Sequence, residues 1–131
     1  MKTKYAIQIL AIFVFLVLPK NTLFGLDGRS YHYDLGVSHY DKGDIDGAIS
    51  AWERAVVVNP EFVEAYYNLG NAYEEKGSLD KAMSAWEKVI AITPFDIDVY
   101  FNMGVAYTGK GLYAEAIDIF RNGLDIDPDD P

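Results

Sequence analysis

One interval of 34 residues recurs along the chain and marks the same residue types each time. Pro60, Pro94 and Pro128 are spaced at this interval. Four further sets follow it: Gly36, Gly70 and Gly104; Gly43, Gly77 and Gly111; Ala48, Ala82 and Ala116; and the aromatic residues Trp52, Trp86 and Phe120. Because self-similarity at a fixed period is typical of repeat architectures, the sequence predicts three copies of one small unit.

The apolar residues of the second copy have helical spacing on both sides of Gly77. One stripe contains Tyr66, Leu69, Gly70 and Tyr73, and the other contains Ala82, Met83, Trp86 and Val89. Residues three and four apart share a helix face, so the copy is predicted to be two helices. Since one helix pair cannot bury both stripes alone, we predict that neighbouring pairs stack.

The glycine set that contains Gly70 falls inside the first helix of each copy. A glycine there costs about 1 kcal/mol relative to alanine, so its recurrence predicts a second helix too close for a side chain. The alanine set that contains Ala82 lies some twelve residues later and is the natural counterpart on that second helix.

The glycine set that contains Gly77 is predicted to end the first helix, because a left-handed C-cap favours glycine. Asp44 and Ser78 then cap the second helix, and Leu112 is a weaker start in the third copy. Asn59-Pro60 and Thr93-Pro94 are predicted to open the next helix, with a capping side chain before a proline at the first helical position.

The second copy resembles the consensus of the tetratricopeptide repeat family. It reads Val63-Glu-Ala-Tyr-Tyr-Asn-Leu-Gly-Asn-Ala-Tyr-Glu-Glu-Lys-Gly77, followed by Ala82, Trp86 and Pro94. The resemblance covers about residues 29 to 128 and implies an all-α fold, a right-handed superhelical array of three antiparallel helix-turn-helix repeats. We predict repeats over 29–62, 63–96 and 97–131, the last with a short acidic tail, after a separate hydrophobic segment at 1–25.

That N-terminal segment has the layout of an export signal. Residues 5–18 are uncharged and follow Lys2 and Lys4. A spanning helix needs roughly 20 apolar residues, which favours a signal peptide, but the small-residue cleavage pattern is poor and leaves a signal anchor open. The sequence therefore predicts a repeat domain outside the cytoplasm, either periplasmic or secreted, or tethered to the membrane through residues 5–18.

The charge of the chain limits the classes of partner it can bind, and its lack of cysteine limits how the domain can be stabilised or tethered. The chain has 11 basic and 20 acidic residues and no cysteine, so the domain has no disulfides and no lipid-modified cysteine. Without residues 1–25, which contain three lysines, 8 basic residues remain against 20 acidic ones. Nucleic acid and anionic lipid are disfavoured as partners, because both require a cationic surface.

In the tetratricopeptide repeat family, the first helices line a concave groove that binds peptides. The resemblance implies the candidate groove residues Tyr33, Tyr40, Tyr67, Asn68, Asn71, Glu74, Phe101, Asn102 and Val105. An aromatic and acidic groove suits a protein or peptide partner with apolar anchors and some basic residues. Several of these residues also belong to the family consensus, so they equally report the repeat itself. The family's carboxylate clamp is not expected, because Tyr33, Asp98 and Asn102 replace its basic residues.

No constellation of residues indicates catalysis, a cofactor or a metal. His32 and His39 are seven apart and are interpreted as structural residues that pack inward. The alternating Asp125, Asp127 and Asp129 lack the glycine and closing glutamate of a calcium loop, so a solvated acidic tail is favoured. The sequence therefore predicts a non-catalytic, exported interaction scaffold or adaptor.

The C-terminal copy offers an alternative surface. Repeat arrays normally end in a polar capping helix, and none follows the last copy here. We expect the apolar face of the last helix to be partly uncovered at Ile117, Phe120 and Leu124. The alternative function is an assembly or oligomerisation subunit of an envelope complex that docks through this face, including onto a second copy.

Overall fold

The computed structural model describes residues 28 to 126, and its described side chains begin at residue 31. Six helices occupy this range: α1 (Gly28–Asp41), α2 (Ile45–Val58), α3 (Val63–Glu75), α4 (Leu79–Ile92), α5 (Ile97–Gly109) and α6 (Tyr113–Leu124). The predicted all-α class is confirmed. The predicted signal at 1–25 and the last residues of the acidic tail, 127–131, lie outside the described residues.

The helices pack as three successive pairs. The most extensive contacts join α1 to α2, α3 to α4 and α5 to α6, and each pair also contacts the next one. A short turn within each pair makes its two helices antiparallel, so α1, α3 and α5 run in one direction. We call these three the A helices, and α2, α4 and α6 the B helices.

Each A helix meets its B helix where a glycine lies against an aromatic ring. A Cβ atom on Gly70 would lie 2.2 Å from Nε1 of Trp86, a distance that real Cβ contacts do not reach. The other two pairs repeat this geometry at 2.4 Å, with Gly36 against Trp52 and Gly104 against Phe120. The predicted close approach is confirmed, and the atoms nearest to each glycine belong to the aromatic ring of the second helix.

The turns inside the pairs follow the glycine prediction. Gly43, Gly77 and Gly111 have φ angles of 76°, 74° and 74°, the left-handed conformation that favours glycine.

Asp44 caps α2 as predicted, since its carboxylate accepts a 3.0 Å hydrogen bond from the amide of Gly47. That bond, followed by one from His39, lowers the pKa of the Asp44 carboxyl below its usual value. Ser78 is the N-cap residue of α4 as predicted, but its side chain makes no capping bond.

The prolines are not the first residues of helices, which corrects a second prediction. Helices α3 and α5 begin at Val63 and Ile97, three residues after Pro60 and Pro94. Asn59 instead ends α2, and its side-chain oxygen accepts a bond of 3.2 Å from the amide of Glu61. This local bond shapes a turn between the pairs, which delays the start of the next helix.

The core is a continuous layer between the A and B helices. One cluster centres on Trp86, Val89, Val99 and Met103, and a second one on Ile49, Trp52 and Leu69. Trp86 is only 1% exposed, so its ring is held in place by the surrounding core. Across residues 28–126, no helix combines the length and hydrophobicity that a membrane span requires.

Candidate binding groove

Two adjoining cavities lie along the A helices, and together we call them the A-helix groove. The larger cavity, of about 400 Å³, is lined by Tyr40, Tyr67, Asn71, Glu74, Glu75, Trp86, Phe101, Asn102, Val105 and Ala106. The smaller, of about 160 Å³, is lined by Val37, Tyr40, Trp52, Asn68 and Asn71. Because Tyr40 and Asn71 line both, the groove is continuous across all three repeats.

The structure brings most of the predicted groove residues together. Seven of the nine line the larger cavity, and Asn68 lines the smaller one. Tyr33 lines neither cavity. Its ring packs on Phe62 with 4.9 Å between the ring centroids, and its hydroxyl accepts a 3.2 Å bond from Nδ2 of Asn68. Tyr33 therefore holds a groove residue in place.

The asparagines of the groove are fixed by bonds between repeats. Nδ2 of Asn102 donates to the hydroxyl of Tyr67 at 2.9 Å and to Oδ1 of Asn71 at 3.3 Å. Nε1 of Trp86 donates to the same Oδ1 at 3.2 Å. Because the indole is itself buried, the amide of Asn71 is anchored to the core. The polar wall of the groove is thus pre-organised before any partner arrives.

Glu75 and Trp86 are groove residues that the sequence did not single out. The hydroxyl of Tyr40 donates to Oε2 of Glu75 at 3.0 Å, and this bond, with burial, raises the pKa of Tyr40. The bond crosses from the first repeat to the second, which no single repeat reveals. The sequence could have indicated that Trp86 bonds a polar groove residue, because a buried indole N–H usually finds a hydrogen-bond partner.

Charge is unevenly distributed between the two sides of the array. The larger cavity of the groove carries the carboxylates of Glu74 and Glu75, and none of the described residues that line it is basic. Arg54, Lys81 and Lys88 line cavities along the B helices, where the carboxylates of Glu53 and Asp80 accompany them. The groove is therefore an acidic surface with aromatic walls.

The two histidines do not form a metal site with described residues, and Asp127 and Asp129 lie outside the described range. Nδ1 of His39 lies 2.8 Å from a carboxylate oxygen of Asp44, at the turn between α1 and α2. His39 lies near the end of α1, is half-buried and bonds to Asp44 at the start of α2, which agrees with its interpretation as a structural residue. Nδ1 of His32 is buried without a hydrogen-bond partner among described atoms. No cluster of metal-ligating side chains occurs in residues that the structure describes.

The apolar face of α6 is exposed where the equivalent faces of α2 and α4 are covered. Ile117 is 56% exposed, whereas Met83, one repeat earlier, is 7% exposed beneath the following repeat. Leu124 is 84% exposed, and Phe120 is half-buried against Gly104. An apolar cavity of about 240 Å³ lies between α5 and α6, lined by Ile97, Tyr100, Phe101, Phe120, Gly123 and Leu124.

Comparison with known families agrees with this architecture. Two family models, each described as tetratricopeptide repeat, match residues 33–97 and 97–130. The chain belongs to the tetratricopeptide repeat family. The helix pairs, the glycine turns and the A-helix groove described above are therefore its tetratricopeptide repeats and their groove side. A comparison with curated protein sequences finds no match.

Solved structures with this tetratricopeptide repeat fold extend the comparison. A crystal structure of MamA is 38% identical with a TM-score of 0.72, and the match covers 76% of this chain and 58% of that one. Another MamA structure is 36% identical with a TM-score of 0.73, covering 93% and 62%. The chain thus spans about three fifths of the length of these MamA chains.

A third structure shares the fold at lower identity. The first TPR of Spaghetti (RPAP3) bound to the HSP90 peptide SRMEEVD is 18% identical with a TM-score of 0.66, and the match covers 79% of this chain and 84% of that one. With these comparisons, the superhelical repeat array predicted from the sequence is confirmed.

Proposed function

We propose that this protein is a non-catalytic scaffold that binds a segment of a partner protein in the A-helix groove. The observation that carries the proposal is the groove's pre-organised polar wall beside exposed rings. Asn71 and Asn102 are held by bonds to each other and to the core, and Phe101 remains accessible beside them. Fixed amides orient a peptide backbone, while an exposed ring provides an apolar anchor point.

The negative charge of the groove determines which kind of peptide segment it can bind. The peptide SRMEEVD, bound by the first TPR of Spaghetti, is rich in carboxylates. The groove of this chain has Glu74 and Glu75 and no basic residue among the described residues of its larger cavity, so it would repel such a peptide. The proposed partner segment therefore has apolar anchors and basic side chains.

Replacing Tyr67 and Phe101 with alanine is expected to remove most of the partner binding. These residues supply apolar contact area in the groove, and Tyr67 also accepts the bond from Asn102. Loss of one central aromatic residue from an interface typically costs about 2 kcal/mol or more, so a double loss reduces capture at least tenfold. The measurement is quantitative mass spectrometry of the proteins that co-purify with each variant from cell-envelope fractions.

A second variant tests the alternative function, docking through α6. The exposure of Ile117 and Leu124 favours this candidate, because contiguous exposed apolar faces mark interaction sites. Ile117→Asp with Leu124→Asp should leave capture intact under the groove proposal and abolish it under the alternative. Circular dichroism of both double variants shows whether each still folds. Partners that survive the Tyr67 and Phe101 changes but are lost with the α6 changes would favour assembly through α6.

We also propose that the repeat domain is exported. The support is the basic start and the uncharged run at residues 5–18. The full chain with a C-terminal tag should be degraded by protease added to intact spheroplasts, while a chain lacking residues 1–25 should be protected. Equal protection of both chains would contradict export.

A further inference from the structure

The larger cavity of the A-helix groove has aromatic walls as well as carboxylates. Tyr40, Tyr67 and Phe101 come from three different repeats and line one cavity, which Trp86 also lines. Its volume of about 400 Å³ lies within the usual range of small-ligand sites, roughly 300 to 1,000 Å³. Aromatic faces attract cations through the negative potential above the ring, most strongly where water is partly excluded.

The hydrogen-bonding groups that remain open in this cavity are mainly acceptors. Oδ1 of Asn71 already accepts two bonds, and Nδ2 of Asn102 already donates two. The hydroxyl proton of Tyr40 is used by one oxygen of Glu75. Both oxygens of Glu74 and the second oxygen of Glu75 are left to accept. Nδ2 of Asn71 and the hydroxyl of Tyr67 can still donate, but the charged groups that remain open are all carboxylate oxygens. Such a site favours a cationic group that donates to them, such as an ammonium or guanidinium group.

The backbone of the A helices also favours a positively charged ligand group. The A helices run in one direction, and Tyr40, Glu74 and Glu75 lie in the last turns of α1 and α3. Helix C-termini have partial negative charge and stabilise nearby cations. Lys76 follows Glu75 at the end of α3, but its ammonium group is paired with Asp46. Helix ends, carboxylates and ring faces therefore together favour positive charge at this point of the groove.

We propose that this cavity is a specificity subsite for one lysine or arginine side chain of the bound segment. The proposal rests on the proposed function and names the side chain that the groove selects. The aliphatic stem of the residue packs between Tyr67 and Phe101, and its charged end reaches Glu74 and Glu75. The cavity selects against aspartate and glutamate at the same position of the partner.

The test uses short peptide pools whose central residue is fixed as lysine, arginine, norleucine or glutamate. The flanking positions are mixtures of alanine, leucine, phenylalanine and serine, and both ends are blocked to remove terminal charge. Binding to the full chain is measured by titration calorimetry and by shifts of the Asn71 side-chain amide in NMR spectra. The lysine and arginine pools should bind roughly tenfold more tightly than norleucine, and glutamate most weakly.

Two matched variants separate the subsite from general charge. The double variant Glu74→Gln with Glu75→Gln should bind the lysine pool only as tightly as the norleucine pool. Its affinity for the norleucine pool should be unchanged. Glu87→Gln with Glu115→Gln removes the same charge from exposed B-helix positions and should preserve most of the lysine preference. Equal binding of lysine and norleucine by the unaltered protein would overturn the subsite while the groove proposal stands. If no pool binds and no NMR signal shifts, the groove proposal fails as well.

Discussion

Replacing Trp86 with alanine is expected to lower the free energy of unfolding by roughly 3 to 5 kcal/mol. The ring is 1% exposed, packs in the core between the second and third repeats, and lies against the backbone at Gly70. Its removal leaves a cavity that rigid helices cannot close, and it also deprives Asn71 of the indole donor. Since small domains are stable by about 5 to 15 kcal/mol, this change should remove a large part of the total.

The measurement is urea denaturation followed by circular dichroism, with Phe101→Ala as the matched control. Phe101 is also aromatic and lies in the same groove, but it is 59% exposed, so its loss should cost less than about 1 kcal/mol. Similar midpoints for the two variants would show that Trp86 is not the packing centre described here.

Replacing Gly70 with alanine is expected to destabilise the protein by roughly 1 to 3 kcal/mol, although alanine is the better helix former. The new Cβ would lie 2.2 to 2.6 Å from three atoms of the Trp86 ring. That ring is enclosed and cannot rotate away, so α3 and α4 must separate. The melting temperature should fall by several degrees, because 1 kcal/mol corresponds to about 4 to 8 °C in a domain of this size.

Gly109→Ala is the matched control for Gly70→Ala. Gly109 is the last residue of α5, and beyond its chain neighbours and the adjacent helix backbone no described atom lies within 4 Å of the position of its Cβ. The same substitution there should leave stability unchanged or raise it by a few tenths of a kcal/mol, through helix propensity. Loss of stability at both positions would indicate a general intolerance of substitution and not a contact specific to Gly70.

The fold could be predicted because the 34-residue interval repeats the residues that define each helix end and each close contact. The interval could not identify which residue of the second helix meets the glycine. Ala82 and Trp86 are four residues apart and lie on the same stripe of α4, so both face α3. Only the packed structure shows that the ring occupies the space above Gly70.

The candidate groove was predicted in outline, because the family resemblance places most of its lining. Its internal bonds could not be predicted in this way. Tyr33 bonds Asn68, and Tyr40 bonds Glu75, each 35 residues further along the chain. These contacts depend on the tilt between neighbouring pairs, which a repeat pattern does not specify. That is why Glu75 was missed and why Tyr33 supports the groove without lining it.

A double-mutant cycle between Gly70 and Trp86 tests the packing of each helix pair around a glycine and a ring most directly. Trp86→Val removes the ring atoms that crowd Gly70, and a cycle isolates the coupling between contacting residues. We expect Gly70→Ala to cost roughly 1 to 3 kcal/mol in the unaltered protein and nothing, or a small gain, beside Trp86→Val. An equal cost in both backgrounds would contradict the account, because the two residues would then act independently.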